Sequence, residues 1–183
     1  MAIEAVIFDY GGVLSTAPFA GLAEFEASMG YPKGSLARLF FGAPDPSDGG
    51  EGDGNGQAPV PDWHLLETGK LALAEFHDRL VERSAAYLGS PLDLAVYTRF
   101  LRTLGVGVHW MVIHRVRELR AAGYRTAILT NNIREWSAVW RATIPVDDFD
   151  VIVDSCEVGG RKPHPANLHH TSESLGGASG SAL

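Results

Sequence analysis

Cysteine is nearly missing from this chain, with one residue, Cys156, among 183. A single thiol excludes an intramolecular disulfide framework, and its residue type reads as a small buried apolar group. Positive charge is also scarce: 15 Lys and Arg stand against 22 Asp and Glu, for a net charge of -7. No basic patch offsets that balance, so neither a nucleic acid nor an anionic membrane surface is an expected partner. Long apolar runs are absent too, none approaching the roughly 20 residues that span a bilayer. The amino terminus leads almost at once into a strand, without the basic, apolar and small-residue succession of a secretion signal, so a cytoplasmic protein is expected. The length suits one domain with a real core and a smaller accessory lobe.

What is present begins at Ala5-Val6-Ile7-Phe8-Asp9-Tyr10-Gly11-Gly12-Val13-Leu14. An apolar run without alternation reads as a strand buried on both faces of a parallel sheet, and such sheets bind ligands at their carboxyl ends. Asp9 therefore falls where a nucleophile or metal ligand belongs, and Gly11 and Gly12 let the backbone turn sharply and approach an anion. On this stretch alone, a solvent-exposed Asp capping the next segment fits equally well.

After Leu14 the pattern turns helical, with Phe19, Leu22, Phe25 and Met29 at three- and four-residue steps and Gly30 as a stop. A short helix is expected at Ser35 to Phe41. The stretch 42–61, rich in Gly, Pro, Asp and Ser, cannot repay the entropy of ordering and reads as a flexible loop. A long amphipathic helix comes after Thr68, with Leu73, Phe76, Leu80 and Tyr87 on one side, and Ser90-Pro91 reads as the start of another carrying Leu92, Val96, Phe100 and Leu104. From His109 helix and strand alternate: Val112, Val116 and Leu119 line a helix ending at Gly123. Thr126 to Thr130 is a buried strand, Ile133, Trp136 and Trp140 mark a helix, and Val151 to Val153 is a third strand. Strands joined by helical crossovers mean an α/β fold whose polar strand ends converge on one edge.

Those ends supply Asp9, then Thr130 with Asn131 and Asn132, and a Gly159-Gly160-Arg161-Lys162-Pro163 turn. A carboxylate to attack phosphorus, a hydroxyl and amides for phosphate oxygens, and a fixed cation are the parts of a phosphoryl-transfer site. Each alone is weak, since Thr130-Asn131 can simply end a strand and Lys162 can be one more solvated lysine. Their order and placement make the set specific.

On these residues the chain resembles the haloacid dehalogenase superfamily, through Phe8 to Leu14, Leu129 to Asn132 and Gly159 to Pro163. Gly123 to Asn131 and Phe149 to Gly159 look like the branch that holds the phosphatase-like domains of soluble epoxide hydrolase and of an acyl-CoA dehydrogenase fusion. The resemblance runs from Ile3 to Pro163 with a gap at the Gly/Pro loop. It implies a Rossmann-like parallel sheet built from 1–14 and 109–163, a helical cap at 15–108, and a Mg2+-dependent phosphatase of small organic phosphates. Asp9 would form an aspartyl-phosphate and Lys162 would hold it to the phosphoryl group. Gly11, Gly12, Thr130, Asn131 and Asn132 would bind phosphate, and Asp9 with the Gly11 carbonyl would hold the metal. Trp63, His64 and Lys70 are candidate cap contacts, with packing as the plainer role for Trp63.

Two departures weigh against turnover. The resemblance implies a second aspartate two positions after the nucleophile, as general acid and base, and Gly11 stands there. A positioned acid is typically worth about 10² to 10⁴ in rate. The fourth motif, an acid on a further strand beside the first, is also missing, and 164–183 has no apolar run for another strand. A truncated relative with a disordered tail at 164–183 is therefore expected, its first strand at an open sheet edge through which the chain could self-associate. Asp154 and Glu157 are the candidate substitute acids, with strand termination as the other role for Asp154. Glu173 and the histidines His164, His169 and His170 are weaker metal candidates, because their spacing matches no helix-borne pair and no Cys joins them. The competing class is a catalytically inert protein that binds phosphate or a partner.

Overall fold

The computed structural model describes residues 3–42, 60–103 and 107–176. Most of the loop expected at 42–61, together with Leu104 and 177–183, lies outside the described residues. In chain order the elements are β1 Ala5–Phe8, α1 Leu22–Met29, α2 Ser35–Phe41, α3 Asp62–Glu67, α4 Leu73–Leu88, α5 Leu94–Thr103, α6 Trp110–Ala121, β2 Arg125–Thr130, α7 Arg134–Arg141, β3 Val151–Asp154, α8 Ser155–Val158 and α9 Pro165–Ser174. A 3₁₀ turn at Val146–Asp148 precedes β3. They divide into two units, one of Met1–Pro18, Glu67–Gly69 and Gly105–Leu183, the other of Phe19–Leu66 and Lys70–Leu104.

The first unit holds a parallel sheet of order β1-β2-β3, with Phe8 level with Ile128 and Thr130 level with Asp154. Side chains alternate between its faces, as a strand's period of two requires. Phe8, Ile128 and Ile152 join Ile113, Val116 and Trp140 from α6 and α7 on one side. Ile7, Ala127 and Val151 meet Leu175, just past α9, on the other. The central strand β2 is buried from Thr126 to Thr130, which explains its unbroken Thr-Ala-Ile-Leu-Thr run. Asp150 Oδ2 accepts the Thr126 amide at 2.8 Å and ties the start of β3 to β2. Among the described residues β1 pairs with β2 alone.

The stretch expected to be a disordered tail is helical over Pro165–Ser174. Pro165 sits at its first turn, where no amide hydrogen is needed, and His164 Nδ1 accepts the Ala166 amide at 3.3 Å. The face of α9 turned inward is polar and small, Asn167, Thr171 and Ser172, with Leu175 the one large apolar anchor. A search for apolar periodicity cannot see such a helix. In α6 the buried pair is Ile113 and Val116, so Val112 sits at the border of the core rather than at its centre.

The second unit is all helical among its described residues, packed around Phe40, which meets Trp63, Phe76 and Tyr97 at centroid separations of 6.2, 6.0 and 5.1 Å. Trp63 is thus a core residue, in agreement with its plainer role. Phe76, Leu80, Ser84 and Leu88 recur every fourth residue on the buried side of α4. The buried carboxylate of Glu26 accepts the Gly34 and Leu36 amides at 2.7 and 2.8 Å and so satisfies donors at the start of α2 that have no partner within the helix. Two expectations need correction here. Phe19 is not the first residue of a helix but a non-glycine with φ of 66°, ahead of α1. The helix expected from Ser90-Pro91 starts at Leu94, because Asp93 Oδ1 accepts the Ala95 and Val96 amides at 2.9 and 3.1 Å and is the better cap.

Candidate active site

Asp9 comes directly after the last residue of β1, and its Oδ1 accepts the Tyr10 amide at 2.7 Å. The same oxygen lies 2.6 Å from Lys162 Nζ. Both side chains are half-exposed, 42% for Asp9 and 28% for Lys162, so the pair stands open to a ligand rather than sealed in the core. The turn behind Asp9 closes on Tyr10 O, which accepts the Leu14 and Ser15 amides at 2.9 and 3.0 Å. Gly12 takes a φ of +83°, a conformation open to glycine at little cost. Its amide donates to Ser15 O at 2.9 Å, so the phosphate contact expected of Gly12 gives way to closure of the turn.

Gly11 is more than a lost aspartate. A Cβ on it would lie 2.9 Å from Pro18 Cδ and 3.2 Å from Cγ, inside contact distance of a rigid ring. The space for a side chain at this position is already filled.

Asn131, at the end of β2, reads both backbone groups of Lys162. Its Oδ1 accepts the Lys162 amide at 2.8 Å, and its Nδ2 donates to the Lys162 carbonyl at 3.1 Å. The side chain therefore sets where the lysine starts, a part that the sequence did not reveal. Thr130 is buried in register with Asp154. Continuing the β1–β2 register puts Asp9 level with Leu129 and so beside Thr130. Asn132 turns away: its amide donates to Ser155 Oγ at 3.0 Å and its Oδ1 accepts the Ile133 amide at 2.8 Å, at the start of α7.

Both candidate substitute acids have other partners. Asp154 is fully buried, its Oδ2 accepting from Trp140 Nε1 at 3.1 Å and its Oδ1 from the Cys156 amide at 3.4 Å. That is the strand-terminating role, extended by an indole. Burial, with Asp154 beside it, pushes the Cys156 thiol up to about 12. Glu157 pairs with Arg141 at 2.8 Å. Glu173 and the three histidines are exposed on or beside α9, and among the described residues no three His, Cys, Asp or Glu side chains gather as a metal site would need.

One charged residue near the site escaped the sequence reading. Glu67 is buried, and its Oε2 lies 2.7 Å from Arg161 Nε, the residue before Lys162. A lone acid after Leu65-Leu66 carries no sign of a partner 94 residues away.

Comparison with known families identifies one that matches nearly the whole chain. A family model described as a haloacid dehalogenase-like hydrolase matches residues 3–183. The mouse acyl-CoA dehydrogenase family member 10 is 27% identical over 165 residues, which is 88% of this chain, and the chain spans 14% of that protein's length. Among solved structures, a haloacid dehalogenase-family enzyme from Bacteroides thetaiotaomicron, in complex with magnesium and inorganic phosphate, matches with a TM-score of 0.64 at 19% identity, over 99% of this chain and 83% of that one. An L-2-haloacid dehalogenase matches with a TM-score of 0.62 at 19% identity, over 100% of this chain and 77% of that one. At such identities the structural likeness speaks for the fold alone.

Proposed function

This chain belongs to the haloacid dehalogenase-like hydrolases, and from that premise we propose that it is a phosphatase of small organic phosphates working through Asp9. The observation that carries the proposal is the 2.6 Å contact between Lys162 and Asp9, half-exposed at the carboxyl ends of the strands, with the lysine backbone gripped by Asn131. In this reading a carboxylate oxygen of Asp9 attacks phosphorus, the bond from phosphorus to the leaving oxygen breaks, and an aspartyl-phosphate forms. Lys162 offsets the charge on the phosphoryl oxygens, and water then attacks phosphorus to release phosphate and restore Asp9. Thr130 and the Asn131 amide are the remaining phosphate-binding groups in this proposal.

With Gly11 in place of an acid, the leaving oxygen departs without a positioned proton donor. Aryl and acyl phosphates, whose leaving groups are stable as anions, are therefore the substrate class, and alkyl phosphates would be slower by about 10² to 10⁴.

Magnesium is the cofactor implied by the family. The donors fit it in a limited way: Asp9 Oδ1 takes both the amide and the ammonium contact, which leaves Oδ2 and the Gly11 carbonyl as hard oxygens. They would hold the ion together with waters and the substrate's own phosphate, as suits a cation that dehydrates reluctantly. When bound it would neutralise charge on the transferring group.

The test is hydrolysis of p-nitrophenyl phosphate with and without magnesium, beside Asp9→Asn. Turnover in the parent well above the variant is the expected result, and equal rates would defeat the proposal. The second reading, a catalytically inert binding protein, has one observation in its favour, the filled space at Gly11.

A further inference from the structure

Arg161 and Lys162 are neighbours in sequence whose cations go to two different carboxylates, Glu67 at 2.7 Å and Asp9 at 2.6 Å. We infer that Glu67 is a positioning residue for the Asp9–Lys162 pair, acting through Arg161; the inference rests on the phosphatase reading only for its catalytic consequence.

The carboxylate has a fixed origin. Glu67–Gly69 belongs to the sheet-bearing unit although Leu66 and Lys70, on either side, belong to the other. Ser155 Oγ donates to Glu67 O at 2.7 Å in a buried bond. Gly69, at φ of +68°, runs so close to α8 and α7 that a Cβ there would lie 2.9 Å from Cys156 O and 3.0 Å from Arg134 Nη2. Three residues are thus clamped against the segments just past β2 and β3, and the Glu67 side chain projects from that clamp to Arg161.

The environment gives the pair weight. Glu67 is 9% exposed and Arg161 27%, so solvent and salt screen it less than the open Asp9–Lys162 pair. Removing one partner of a buried pair leaves the other charge uncompensated. With that anchor lost, residue 161 no longer fixes the turn that carries Lys162, and the lysine ammonium loses its set approach to Asp9. Asn131 holds the backbone of residue 162 and Glu67 holds the side chain of residue 161. With both constraints in place, the ammonium of Lys162 is held against Asp9.

The chain has three lysines, Lys33, Lys70 and Lys162, which permits a readout that needs no turnover. The full chain is labelled with an N-hydroxysuccinimide ester, and modification of each lysine is timed by peptide mass spectrometry, with exposed Lys33 as the internal reference. Glu67→Gln and Arg161→Gln are each expected to raise the Lys162 rate by about tenfold, the scale of one lost charge-assisted hydrogen bond, with Lys33 unchanged. The double variant should be no faster than either single one, since the two act as a unit. Arg161→Lys, which keeps the charge but not the fork, should fall between.

Should a single variant fold poorly, Glu67→Leu with Arg161→Met replaces the pair by apolar neighbours and should still expose Lys162. Unchanged Lys162 labelling in folded Glu67→Gln and Arg161→Gln would overturn the inference, as would a rise shared equally by Lys33, which would mark general loosening. A parent protein that hydrolyses aryl phosphate no faster than Asp9→Asn would sink the phosphatase reading while leaving the labelling result intact.

Discussion

Asp9 and Asp154 both stand at the carboxyl ends of parallel strands, β1 and β3, in one three-stranded sheet. Asp9 is 42% exposed and shares one oxygen with a lysine, whereas Asp154 is 0% exposed and both its oxygens receive donors from α7 and α8. The difference comes from the residues that succeed each strand. After β1 a glycine turn closes on Tyr10 O and leaves the carboxylate outside. After β3 the chain enters α8 immediately, so Asp154 caps that helix while Trp140 covers it. A carboxylate at a strand end is a candidate ligand only when the next few residues do not claim it.

The largest test of this contrast is Asp9→Asn. Aryl phosphate hydrolysis should fall by about 10³-fold or more, while chemical denaturation should shift by no more than about 1 kcal/mol because the ion pair is open to solvent. Asp154→Ala should do the reverse. It strands the Trp140 indole and the Cys156 amide, costing about 2 to 4 kcal/mol in urea unfolding, with hydrolysis per folded molecule retained. A stable Asp154→Ala protein without activity would break the comparison.

Gly11→Asp comes next. Contact with the Pro18 ring should destabilise the chain by about 1 to 3 kcal/mol, and Pro18→Ala should relieve most of that. With both changes, alkyl phosphates should gain in rate more than aryl phosphates, since only they need a proton donor. The smallest effect concerns Cys156. Its folded thiol, raised to about 12 by burial and Asp154, keeps a proton that the unfolded thiol releases at its ordinary value. This contribution to stability is therefore whole below the ordinary thiol value and is lost as pH rises towards about 12. Urea midpoints measured between pH 8 and pH 10 should fall less steeply in Cys156→Ala.

Much of the site was legible as residues on strands. The unbroken apolar runs Ala5 to Phe8 and Thr126 to Leu129 placed Asp9 and Thr130 at strand ends, and Ser35–Phe41 has the bounds expected for it. Asn131 stood out at the end of β2, but the part its side chain plays on the Lys162 backbone did not, because a side-chain amide can serve a ligand or a distant main chain equally well. Asn132 and Gly12 were assigned to phosphate, yet local amide geometry uses one to start α7 and the other to close a turn. The helix α9 was missed because the face it buries is Asn, Thr and Ser, a pattern indistinguishable from a solvated tail until the sheet is present to cover it.

The amino-acid sequence by itself determined the family, the order of the three strands, and the placing of Asp9 and Thr130 at strand ends, because these arise from local hydrophobic pattern and from motifs carried in short runs. Which acids stay free, which glycine has no room for a side chain, and which carboxylate steadies Arg161 were decided by tertiary structure alone. Those outcomes depend on contacts such as Glu67 with Arg161, 94 residues apart, whose energies come from burial and geometry that no local stretch of chain contains.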